Sequence, residues 1–125
     1  MVQTGDRPEA STQANVFMTL YGNLGNSGER KLKKSAANGP AFQTGSADTF
    51  TVEAAHLGVL QMIVVRHDGK GAGEGWFLEW VEVRGEREPV RFDCEQWLDA
   101  GKEDGQIERT LLVSKGEKGT GKLCV

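Results

Sequence analysis

The stretch Ala14-Asn15-Val16-Phe17-Met18-Thr19-Leu20-Tyr21 decides the architecture. Val16, Met18 and Leu20 stand at every second position, with Phe17, Thr19 and Tyr21 between them. Successive side chains of an extended chain point to opposite faces, so this alternation predicts a strand with one apolar face. A helix would need apolar residues three and four apart. The run ends in Gly22-Asn23-Leu24-Gly25-Asn26-Ser27-Gly28, where Gly and Asn supply tight-turn chemistry.

The same period recurs on either side. Leu57–His67 is the most apolar run; it is short and rich in β-branched residues, which predicts a buried strand. Short strands are expected at Arg30–Lys34 and at Thr49–Glu53, the latter with Phe50 and Val52 on one face. Trp76–Arg84 places Trp76, Leu78, Val81 and Val83 in the core, and the step of three from Leu78 to Val81 predicts a β-bulge. Val90–Cys94 and Ile107–Val113 are two further strands, with Trp97-Leu98 expected in a turn between them. Asn38-Gly39-Pro40 and the Gly-dense Asp68–Gly75 break the chain. Seven or so short strands at regular spacing, with no long helical period and no internal repeat, predict a sandwich or barrel.

Bulk properties agree. A chain of 125 residues is one domain's worth and can bury a core. The 17 glycines, against 3 prolines and without a tripeptide period, fit many tight turns. A net charge of −3 argues against nucleic acid as a partner. No apolar stretch nears the ~20 residues that span a bilayer. Met1–Asp6 has neither the basic nor the apolar part of a signal peptide, and no glycosylation sequon occurs. Cys94 and Cys124 lie far apart with no CxxC partner; one disulfide between them is open to the chain, and two free thiols of a reducing compartment are the leading expectation. A cytoplasmic location is expected, with membrane association as an addition.

Several motifs carry a resemblance. Thr4-Gly5-Asp6, Ser11–Phe17 and Leu20-Tyr21-Gly22 resemble the opening of a PLAT (lipoxygenase-homology, LH2) domain. Phe42, Gly45, Asp48-Thr49-Phe50, Leu57-Gly58, His67-Asp68 and Gly75-Trp76-Phe77-Leu78 continue the match, and Phe92-Asp93-Cys94 with Trp97-Leu98 close it. The Gly75–Glu79 stretch and Asp104–Ile107 look most like the tandem-repeat members of that family. The resemblance implies an all-β fold, an eight-stranded antiparallel β-sandwich of two four-stranded sheets. It also implies a module without chemistry of its own, over residues 1–113, followed by a Gly/Lys-rich tail at 114–125. Such domains open with a strand of about six alternating residues; here Met1-Val2-Gln3 precede Thr4-Gly5, while the chain ends Leu123-Cys124-Val125. The tail is therefore expected to supply the missing first strand, within one molecule or in a strand-exchanged dimer.

Candidate sites follow. No cofactor is expected apart from calcium, which some members of the family bind through loop carboxylates. Gln13, Pro40, Ala41 and Gln43 stand where the lipoxygenases carry ligands, leaving Asp6, Asp68 and Glu74 as metal candidates, a thin set for a hard cation. Arg30, Lys31, Lys33 and Lys34 form a basic cluster suited to anionic lipid headgroups, or to blocking edge pairing. Trp76, Trp80 and Trp97 read as structural tryptophans rather than membrane-inserting tips. Gly116–Lys122 has the spacing of a phosphate loop, but Leu123 replaces the hydroxyl residue and no helix can follow. His56 and His67 are too few for a lipoxygenase iron site, no G-x-S-x-G elbow occurs, and His67 is expected to serve turn structure. No catalytic residue is assigned. A protein partner is the leading expectation and membrane lipid the alternative; a regulatory domain cut from a lipoxygenase or lipase is a third.

Overall fold

The computed structural model describes residues 1–33, 40–54, 56–69, 75–85, 89–101 and 105–114. Lys34, Glu74 and Cys124, with the break at Asn38-Gly39, the phosphate-loop spacing and the rest of the tail after Ser114, lie outside these residues. No helix occurs among the described residues. Nine strands do: β1 (Val2–Thr4), β2 (Val16–Gly22), β3 (Gly25–Asn26), β4 (Arg30–Lys31), β5 (Ala47–Asp48), β6 (Leu60–His67), β7 (Trp76–Val83), β8 (Val90–Leu98) and β9 (Glu108–Leu112).

The strands form two antiparallel sheets. One runs β5-β1-β7-β8; the other runs β3-β2-β6-β9, with β4 also pairing β2. The two expected antiparallel layers are thus present, but with four and five strands rather than four and four. The ninth strand arises because β3 and β4, two residues each, pair opposite ends of β2, at Tyr21-Gly22 and Phe17-Met18.

The alternation that predicted β2 puts Val16, Met18 and Leu20 into the core. Ile63 and Val65 of β6 and Leu111 of β9 join them from the same sheet. The facing sheet contributes Val2, Trp76, Leu78, Val81, Val90, Phe92 and Leu98. Each fully buried side chain of this size contributes about 1.5–3 kcal/mol, so the two inner faces dominate stability. Phe42 enters from the loop before β5 and meets the Trp76 ring edge-on at 5.1 Å between centroids. The Trp76 indole N–H donates to Thr4 Oγ1 at 2.9 Å, and both residues are fully buried.

The predicted bulge is real and double. Gln3 pairs Trp80 while Thr4 pairs Leu78, so Glu79 is an extra residue of β7 relative to β1. On the other side Leu78 pairs Gln96 and Trp80 pairs Asp93, so β8 carries a further extra residue, with Glu95 at φ 53°. The bulges shift the inward phase of β7 from Trp76 and Leu78 to Val81, which is the step of three seen in the sequence.

Three expectations need correction. The pairing near Thr49–Glu53 is confined to Ala47–Asp48; Phe50 and Val52 only lean against the core from an unpaired segment. Asp48 explains the early stop: its buried carboxylate accepts the Phe42 amide at 2.8 Å and the Ser46 hydroxyl at 3.2 Å, folding the chain back on itself. Trp97 and Leu98 do not sit in a turn but end β8, because the extra residues of the bulge let that strand continue opposite Phe77 and Trp76. Val2–Thr4 does form a first strand, short but paired on both sides, with Asp48-Ala47 and with β7.

Candidate functional site

The metal candidates come first. Asp6 follows β1 and Asp68 follows β6, and the strand directions bring both to one end of the sandwich. Asp68 is engaged there. Its Oδ2 accepts the Asn15 side-chain amide at 2.7 Å and its Oδ1 accepts the Asn15 backbone N–H at 3.1 Å, tying the loop before β2 to the loop after β6. Asp6 is exposed and lies against Gly45. Among the described residues no group of three or more His, Cys, Asp and Glu side chains converges.

His67, at the same end, has the structural role expected of it. It is buried; its Nδ1 accepts the Gly69 amide at 3.0 Å, so Nε2 carries the proton and donates to the Leu98 carbonyl at 2.6 Å. One imidazole thereby joins the ends of β6 and β8 across the two sheets. His56 is exposed and lies before β6.

The basic cluster lies on a sheet edge. Arg30 and Lys31 form β4, paired to β2 on one side, and Arg30, Lys31 and Lys33 are exposed while Leu32 between them is buried. Arg30 Nε donates to the Ser27 carbonyl at 3.0 Å. Glu29 is drawn off to the sheet surface, where the Arg66 guanidinium donates to its carboxylate at 2.9 Å. That hydrogen bond holds the Glu29 carboxyl below the usual carboxylate range and raises Arg66.

The tryptophans divide. Trp76 is core. Trp80 and Trp97 belong to the outer face of the four-stranded sheet and are partly covered: Arg91 stacks over Trp80 at 4.4 Å, and Trp97 packs T-shaped against Phe77 at 5.3 Å, with Arg7 over the Phe77 ring at 4.3 Å. None of the three is a bare loop tip.

The outer face of the five-stranded sheet is different in chemistry. The register sets Tyr21, Met62 and Leu112 side by side across β2, β6 and β9. Beside that row stand Thr19, Val64 and Thr110, and then Phe17, Arg66 and Glu108, with Lys31 paired to Phe17 at the edge. Arg66 stacks on the Phe17 ring at 4.2 Å. Tyr21, Met62, Val64 and Leu112 are half-buried. A solvated sheet face ordinarily carries polar residues at the outward positions. Here β6 is apolar on both faces, which is why its sequence read as wholly buried. The surface missed by sequence reasoning is this one; the signal was the unbroken run Met62-Ile63-Val64-Val65, taken for burial on both sides.

Comparison with known proteins agrees with the fold. The sequence profile of the PLAT/LH2 domain matches residues 1–112. Lipoxygenase homology domain-containing protein 1 of Mus musculus is 45% identical over 117 residues, covering 90% of this chain and 6% of that protein. Polycystin-1-like protein 1 of Homo sapiens is 35% identical over 126 residues, covering 98% of this chain and 4% of that protein. The chain thus spans a small fraction of the relatives it matches. The crystal structure of coral 8R-lipoxygenase superimposes with a TM-score of 0.76 at 28% identity, over 90% of this chain and 16% of the enzyme. Two layers with a shared topology, a profile spanning nearly all the described strands and these relatives together place the chain in the PLAT/LH2 domain family.

Proposed function

We propose that this domain is a non-catalytic binding module that holds a protein partner on the outer face of its five-stranded sheet. The observation that carries the reading is the apolar row Tyr21–Met62–Leu112, backed by Val64, which the register turns away from the core and leaves partly accessible. Apolar residues clustered on an otherwise solvated face gain free energy when a partner removes them from water. The charged row Lys31–Arg66–Glu108 borders this patch and would set the partner's orientation more than its affinity. Met62→Glu combined with Leu112→Glu should abolish capture of binding proteins from a cell extract, while the fold is retained. Captured proteins that bind the double variant equally well would sink the proposal.

A lipid surface is the second reading, favoured by one observation. Leu24, at the tip of the β2–β3 hairpin, is 65% exposed and shares a sheet edge with Arg30 and Lys31. An exposed apolar tip beside a basic edge is the pairing that an anionic interface attracts. Co-sedimentation with phosphatidylserine vesicles that is lost on Leu24→Ser with Lys31→Glu would favour lipid over protein. The coral enzyme's structure is described as calcium-activated through a C2-like domain. In this chain Asp68 is engaged by Asn15, which argues against a calcium site built on Asp6, Asp68 and Glu74.

A further inference from the structure

The outer face of the five-stranded sheet carries opposite charges on opposite sides of its own midline. In the row that contains Phe17, the order across the sheet is Lys31 of β4, Phe17 of β2, Arg66 of β6 and Glu108 of β9. The midline of that row runs between β2 and β6, parallel to the strands. Lys31 and Glu108 stand about one and a half strand spacings from it on either side, or roughly 7 Å. Both are exposed. Phe17 and Arg66 flank the line directly, as do Thr19 and Val64, and then Tyr21 and Met62, in the next two rows. These side chains point outward, because Val16, Met18, Leu20, Ile63 and Val65, which alternate with them, are buried.

A closed dimer buries the same patch on both subunits, so the patch must complement itself after a half-turn. A half-turn about this midline achieves that. It lays Lys31 of each copy over Glu108 of the other, at two symmetric places, and Phe17 over Arg66. It also lays Tyr21 over Met62 and Thr19 over Val64, so that apolar surface meets apolar surface, while Leu112 falls over Asn26 at the margin of the row. The two Arg66 guanidinium groups lie diagonally to one another. Each is held by its own Glu29 at 2.9 Å and seated on its own Phe17 ring at 4.2 Å, which offsets their repulsion. Stacked twisted sheets cross at about 30°, and strands inclined about 15° to either side of the axis give that angle. A patch of one sign of charge would repel its own copy.

We infer that the protein held on this face is a second copy of this chain, docked sheet to sheet about a two-fold axis between β2 and β6. The inference rests on the reading of this face as a protein-binding surface and names the protein. Four strands by three outward rows make a patch of roughly 20 by 20 Å. That is about half of the ~800 Å² that each partner of a standard interface buries. The pair is therefore weak, forming at high concentration or where two copies are held close together. The charges at Lys31 and Glu108 fix which way the copies face and exclude the arrangement turned end for end.

The test is sedimentation of the 125-residue chain from about 10 µM to about 1 mM, where a monomer–dimer equilibrium is expected. Lys31→Glu and Glu108→Lys each set like charges against one another at both symmetric contacts, and each should weaken the dimer about tenfold. Both residues are exposed, so the circular dichroism of each variant should match the unmodified chain. Mixed one to one, the two variants regain opposite charges at both contacts, and the strength of the original dimer should return. A chain that stays monomeric throughout would overturn the inference. So would a dimer that neither variant weakens, or a mixture no tighter than the variants alone. Capture of other proteins by a chain that is monomeric throughout, lost in the Met62→Glu/Leu112→Glu variant, would leave the partner face standing and remove only the second copy.

Discussion

Replacing Thr4 with Val tests how β1 is fixed to β7 inside the four-stranded sheet. The two side chains have nearly the same shape, so the change leaves no cavity. It removes one atom's function: Thr4 Oγ1, which accepts the Trp76 indole N–H at 2.9 Å in a fully buried setting. The indole N–H is then stranded without water or an alternative acceptor. A buried donor left unpaired costs about 1–3 kcal/mol, so a loss of roughly 2 kcal/mol is expected. For a domain of this size that corresponds to a fall in Tm of roughly 6–10 °C. Guanidinium denaturation followed by far-ultraviolet circular dichroism gives the free energy. The decisive arm repeats the substitution in a Trp76→Phe background. There no donor remains to be stranded, and Thr4→Val should cost close to nothing, giving a coupling energy of about 1–2 kcal/mol. If Thr4→Val costs the same in both backgrounds, or nothing in either, the hydrogen bond does not carry the stability assigned to it.

Asp68→Ala removes both side-chain anchors of Asn15 and should cost about 1–2 kcal/mol, with faster proteolysis in the loop at 5–15 as the readout. Gly22→Ala should destabilise strongly, since its Cβ would lie 2.1 Å from the Leu57 carbonyl oxygen; unchanged thermal stability would contradict that close approach. Titration calorimetry with calcium should give no binding heat at millimolar metal, and a saturable heat that disappears in Asp6→Asn would restore the metal site. The Glu29–Arg66 pair lowers the folded pKa of Glu29, so its contribution is complete at neutral pH and is lost as the pH falls through that lowered value. The wild-type and Glu29→Gln stability curves should therefore converge between about pH 5 and 3, by a small amount because the pair is on the surface.

Most of the fold was legible along the chain. The period-two patterning of Val16–Tyr21 and the three-residue step from Leu78 to Val81 are local signals, and each survived because the core needs that side chain on that face. The candidate sites were less legible. Asp68 looked like a free loop carboxylate until the fold brought Asn15 beside it, 53 residues away in sequence. Trp80 and Trp97 read as structural tryptophans, but their places on an outer face, one beneath an arginine and the other beside a phenylalanine, came from the register of β7 and β8.

The residues read along the chain were enough for the all-β class, for the inward positions of the main strands and for the family resemblance. Strand periodicity and turn chemistry are local, and the motifs are contiguous. Where β5 stops, the extension of β8 through Trp97-Leu98, and the row of Tyr21, Met62 and Leu112 emerged with the assembled sheets. Those facts depend on register between strands distant in sequence, and on a buried Asp48 that turns a strand into a loop. A cleft lined by Met18, Leu20 and Phe50 likewise exists only once β2, β7 and the Phe50–Val52 segment are brought together.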